Sequence, residues 1–115
     1  MTTRGEISVS AGAGSLRDGT PAIAVKIQGP EYEINISIPI SELAVLRKVP
    51  LTQWESGALC IGKSAGSASF WSCDSGQIYI GVGHDDQTWD FGVMFPESEF
   101  SGLLAEIERE LGHGF

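Results

Sequence analysis

From Tyr32 to Ile40 every second residue is apolar: Tyr32, Ile34, Ile36, Ile38 and Ile40 alternate with Glu33, Asn35, Ser37 and Pro39. A period of two puts the apolar side chains on one side of an extended strand and the polar ones on the other, so one face packs and the other meets water. The pattern recurs from Trp89 to Phe95, where Trp89, Phe91, Val93 and Phe95 should share the packed face, and in weaker form at residues 23–27 and 78–82. Turn-forming residues punctuate the runs at Asp18-Gly19, Gly29-Pro30, Asp74-Ser75-Gly76 and Gly83-His84-Asp85-Asp86. Connections this short predict antiparallel neighbours. The glycine-, alanine- and serine-rich run from Ser8 to Ser15 reads as a flexible strand or loop, and Ala58-Leu59-Cys60-Ile61 as the start of another strand.

Two segments break the alternation. Phe100, Leu103, Leu104, Ile107 and Leu111 form a helical stripe, with Ser98 as the expected N-cap, Glu97 and Glu99 at the positive helix start and Gly112 at the stop. A shorter helix is expected from Ser41, with Glu42, Leu43, Val45 and Leu46, then Arg47 and Lys48 at its negative end, stopping near Val49 before Pro50.

Both helices are entered alike, through Ile38-Pro39-Ile40-Ser41-Glu42-Leu43 and Phe95-Pro96-Glu97-Ser98-Glu99-Phe100, 57 positions apart. The same ungapped shift matches Gly19 to Gly76, Ile23 to Ile80, Val25 to Val82 and Leu46 to Leu103, and sets Tyr32 against Trp89, Ile34 against Phe91 and Ile38 against Phe95. The expectation is an α+β fold: an antiparallel meander of about six or more strands with two helices, built as a tandem β-β-β-α pseudo-repeat with pseudo-two-fold symmetry. Units 1–57 and 58–115 are too short to be stable alone, since domains under about 60 residues are marginal, so they should share one core in a single domain, 1–115. This layout resembles that of whirly-type domains, which bind single-stranded nucleic acid or serve as scaffolds; the resemblance is one of architecture and carries over no residues.

Composition narrows the functional classes. Seven basic residues stand against 15 acidic ones, a net charge of −8. The first unit holds five basic and six acidic side chains, the second two and nine, so the acidity is concentrated in the second. Scattered lysines and arginines argue against duplex nucleic acid and anionic membrane as partners. No apolar run is long enough to span a bilayer, and Met1-Thr2-Thr3-Arg4-Gly5-Glu6 lacks the layout of a secretion signal, which leaves a cytoplasmic protein as the expectation.

Catalytic patterns are sparse. Cys60 and Cys73 fit no zinc spacing and have no cation or histidine beside them, so they read as small buried hydrophobes. Ser72 and Ser75 lack a nucleophile turn, His113 follows the last helix, and no phosphate-binding glycine motif occurs. No catalytic residue and no cofactor is expected. His84, Asp85 and Asp86, followed by Asp90, are the one crowded set of ligand-type side chains; they suit either a divalent cation or a solvated hairpin tip. Alternation places Phe70 opposite Trp71, and Tyr79 opposite Ile78 and Ile80, so one of each pair leaves the main core. Trp54, Trp71 and Tyr79 then form either an exposed aromatic patch or a second buried face.

The leading expectation is a small, acidic, non-catalytic protein-binding module of the immunity, antitoxin-like or adaptor kind, recognising a basic protein through Trp54, Trp71, Tyr79, Asp74, Asp85, Asp86 and Asp90. The alternatives are a small-ligand or divalent-metal domain using the 83–90 loop, or a self-associating scaffold subunit whose strands pair at a sheet edge.

Overall fold

The computed structural model describes residues 7–85 and 87–115. The alternating runs form strands, and each turn signal closes a hairpin. The order is β1 (Ser8–Ser15), β2 (Pro21–Gln28), β3 (Glu33–Pro39), a 3-10 segment (Ile40–Leu51), a single 3-10 turn (Trp54–Ser56), β4 (Leu59–Ser64), β5 (Ser67–Asp74), β6 (Gln77–Gly83), β7 (Trp89–Pro96) and α1 (Glu97–Leu111). The seven strands make one antiparallel meander in chain order.

Register explains which side is buried. Ile23 opposes Ile38, Val25 opposes Ile36, and Ile27 opposes both Val9 and Ile34. In the other half Trp71 opposes Ile80, which opposes Val93, and Cys73 opposes Ile78, which opposes Phe95. All of these are buried in one continuous core that draws on both halves. Phe100, Leu103 and Ile107 of α1 close it, in the spacing of a helix that buries a single stripe.

The first helix is a 3-10 segment rather than an α-helix. Its buried residues, Leu43, Leu46 and Val49, recur every third position, matching three residues per turn, and Pro50 lies inside it. The α1 start also differs from the expectation. Pro96 occupies the N-cap position with no side-chain cap, Ser98 is within the helix, and the Glu97 amide donates to the Gly76 carbonyl at 2.9 Å. The 74–76 turn satisfies a helix-start donor that the sequence reading assigned to a serine.

The seam between the halves is thin. Only Ser37 and Lys63 pair between β3 and β4, and β4 is irregular between Cys60 and Lys63. Gly62 there has φ +72°, and a Cβ on it would lie 2.8 Å from the Ser37 carbonyl oxygen. Its amide donates to Glu42 Oε1 at 2.9 Å, so a side chain of the 3-10 segment replaces a missing strand partner. On the far side, Arg47 Nη2 pairs with Glu108 at 2.6 Å and its guanidinium lies 4.6 Å from the Phe115 ring centroid, tying the 3-10 segment to the end of the chain.

The two edges of the sheet are treated differently. Helix α1 packs against β1 as well as against β6 and β7, and Glu110 Oε1 accepts the Ala13 amide at 3.0 Å. It therefore spans the opening between β1 and β7 near their C-terminal ends. Nearer their N-terminal ends the opening holds no helix among the described residues.

Element starts repeat at a near-constant offset: β1 to β5 by 59 residues, β2 to β6 and β3 to β7 by 56, and the 3-10 segment to α1 by 57.

Candidate functional site

Across β5, β6 and β7 the side of the sheet away from the core carries Ser72, Tyr79, Gly81, Gly92 and Met94, since Ser72 pairs with Tyr79, Tyr79 with Met94 and Gly81 with Gly92. Trp89 joins this side because the β6–β7 register slips. Val82 opposes Phe91 but Gly83 opposes Trp89, leaving Asp90 as an extra residue in β7. A bulge of this kind reverses the faces of what precedes it, so Trp89 points opposite to Phe91 rather than with it, which corrects the uniform alternation expected from Trp89 to Phe95. Its indole lies on the paired glycines: a Cβ would come within 3.1 Å of the ring at both Gly81 and Gly92. Glycine inside a strand marks such a close approach.

The 3-10 turn supplies the second wall. Trp54 meets Trp89 edge to face, with ring centroids 6.2 Å apart and planes at 75°. Together with Tyr79 and Met94 they line a groove of about 660 Å³, whose further lining includes Glu55 and Asp74 on this side and Ile7 and Tyr32 beyond β7. Tyr32 also contacts Phe91 edge to face at 5.8 Å. Trp89 is 47 % exposed, Met94 40 % and Tyr79 36 %, so this is an open apolar surface rather than a second core. No lysine or arginine lines it among the described residues. Ser72 is buried at its floor, with a hydroxyl that finds no hydrogen-bond partner among the described residues.

Of the residues singled out from sequence, the fold gathers Trp54, Tyr79 and Asp74 into this groove. Trp71 is elsewhere. It is fully buried, packs against Phe100 at 6.2 Å, and donates Nε1–H to the Ile61 carbonyl and to Ser69 Oγ, both at 3.1 Å. Its place on the core side of β5 removes it from any surface patch, because that side faces α1. Ser69, equally buried, donates its hydroxyl to the same Ile61 carbonyl. Trp89 and Met94, which the sequence reading did not select, take the position it gave to Trp71. The usable signal was the pair of mid-strand glycines, Gly81 and Gly92, which leave room for a ring.

The 84–88 hairpin is closed by its own residues. Asp85 Oδ1 accepts the Gln87 and Thr88 amides at 2.8 Å and the Thr88 hydroxyl at 2.9 Å, and the His84 amide donates to the Thr88 carbonyl at 3.1 Å. Those bonds, the Gln87 amide foremost, hold the Asp85 carboxyl below its ordinary value. Asp90 is exposed in the bulge, and Asp86 lies outside the described residues. Among the described residues no three His, Cys, Asp or Glu side chains converge as a cation site.

Neither thiol is activated. Burial, the Glu97 carboxylate 3.7 Å away and Asp74 push the Cys73 thiol up. Cys60, which is exposed rather than buried as expected, is also raised, by partial burial and then by Glu42, with Lys63 opposing. Both stay protonated near neutrality, where a nucleophilic cysteine needs the thiolate.

No helix among the described residues is long and apolar enough to cross a membrane. Neither a family model, nor a curated protein, nor a solved structure matches the chain, so the likeness to whirly-type domains gains no support from those comparisons.

Proposed function

We propose that this chain is a non-catalytic module that binds a basic protein, and that the groove beside β7 is where it does so. The observation that carries the reading is an open surface of Trp54, Trp89, Tyr79 and Met94 with Glu55 and Asp74 in its lining and no lysine or arginine among the described residues. Tryptophan and tyrosine supply large contact area at low entropic cost and present π faces to lysine and arginine. The carboxylates favour the same side chains, and the −8 charge steers a basic partner toward the acidic half. We propose likewise that the near-constant spacing of elements reflects a doubled β-β-β-α unit in which the second copy became the binding half.

Fluorescence titration with a tryptophan-free arginine-rich peptide tests the reading. Binding should weaken steeply between low and physiological salt. It should also weaken at least about tenfold in Trp89→Ala and Tyr79→Ala, which keep the net charge. Equal affinity in those variants would reduce the interaction to unspecific charge attraction and remove the groove from it.

A further inference from the structure

Edge strands in natural proteins are kept short, charged, bulged or covered, because their unpaired amides and carbonyls invite another strand. The β1 edge meets this rule toward its C-terminal end, where α1 packs on it and Glu110 takes up its Ala13 amide. The β7 edge does so only in part. Its bulge at Asp90 is followed by a stretch with Gly92 and Met94 on the outer side and Phe91 and Val93 on the other, in which only Val93 is buried. The groove runs along this stretch. Its lining joins outer-side residues, Trp54 and Tyr79, to Ile7 and Tyr32 across the gap that α1 does not cover, where among the described residues the Tyr32 ring meets Phe91 of β7.

We infer that the open part of β7 pairs with an extended segment of the basic partner, which adds as an eighth strand. This deepens the proposed function and rests on it. An added strand points alternate side chains to opposite sides. One row lies on the side of Trp89, Trp54 and Glu55, surroundings that suit arginine or lysine; the other row meets Phe91 and Tyr32, which suit an aliphatic side chain. The occupant is thus a segment alternating basic with aliphatic residues. A second copy of this chain is the wrong occupant, since pairing β7 with β7 would bring together two acidic halves, each with Asp90 in the strand.

The test uses an acetylated and amidated peptide of alternating arginine and valine, and two analogues N-methylated at every second residue in opposite phases. Binding is read by tryptophan fluorescence, and amide exchange of residues 90–94 by NMR. In the expected result one methylated phase loses at least about tenfold in affinity through its missing hydrogen bonds while the other phase binds like the parent. The β7 amides then become protected with the parent alone or with the tolerated analogue. If both analogues bind like the parent while Trp89→Ala still weakens binding, strand addition is overturned and the groove reading stands. If the parent does not bind at all, the groove reading itself falls. A dimer in solution that Phe91→Lys dissociates would instead give the edge to a second copy and overturn the inference.

Discussion

On β2 and β3 the side chains pointing away from the core are Ala24, Lys26, Gln28, Glu33, Asn35 and Ser37, whereas on β6 and β7 that side carries Tyr79, Gly81, Gly92, Met94 and Trp89. The core-facing rows of the two regions are nearly interchangeable isoleucine, valine and phenylalanine. Packing therefore constrains one side of the sheet in both halves alike and leaves the other side free to differ. In the first half that side is an ordinary solvated surface. In the second it is an aromatic groove with acidic neighbours, the patch on which the proposed binding rests.

The sharpest way to break this comparison is to exchange the roles of two tryptophans of the second half. Trp71→Ala removes a fully buried ring with two hydrogen bonds and should cost about 3–5 kcal/mol in urea unfolding. A loss below about 1 kcal/mol would mean that the core of this half does not depend on that side of β5. Next in size, Glu42→Ala strips the buried Gly62 amide of its acceptor and should cost about 1–3 kcal/mol, because the seam has a single strand pair to fall back on. Glu42→Gln, which keeps an acceptor, should recover most of that loss.

On the outer side, Trp89→Ala should lower stability by only about 1 kcal/mol, through its lost contacts with Trp54 and the glycine floor, while peptide binding falls far more. A stability loss as large as that of Trp71→Ala would make the outer face a second core. Ser72→Ala should be neutral or stabilising by up to about 1 kcal/mol, since the buried hydroxyl it removes has no partner. Marked destabilisation would show that Ser72 is hydrogen-bonded in solution. The smallest effect concerns pH. The Asp85 carboxyl lies below its ordinary value of 3.8, so it supports the fold above that value and the support is lost as pH falls through the lowered one. Asp85→Asn should therefore show a shallower loss of stability on acidification below about pH 4 than the parent. An unchanged acid profile would remove the hairpin bonds from the account.

Much of the architecture was legible in the chain because it rests on short-range periodicity. The alternation at Ile34, Ile36 and Ile38, the stripe at Phe100, Leu103 and Ile107, and the turn at Asp74-Ser75-Gly76 each encode their element within a few residues. The site was legible only in part. Trp54, Tyr79 and Asp74 were selectable as residue types, but their meeting depends on a 3-10 turn arriving over β5 and β6 from a remote part of the chain. Trp71 and Trp89 were misplaced for different reasons: alternation sets Trp71 opposite Phe70 without saying which of the two takes the core side, and the bulge at Asp90 breaks the alternation that put Trp89 on the packed face.

The sequence by itself determined an antiparallel meander with one polar-faced half, two helical segments and an acidity concentrated after residue 57, since all of these follow from local pattern and count. Only the tertiary structure decided that Trp71 is core and Trp89 surface, that α1 covers β1 and leaves part of β7 open, and that Glu42 completes the seam. The physical reason is that a single bulge at Asp90 turns Trp89 to the side opposite Phe91, and that the covering of an edge depends on where a helix lands on the folded sheet.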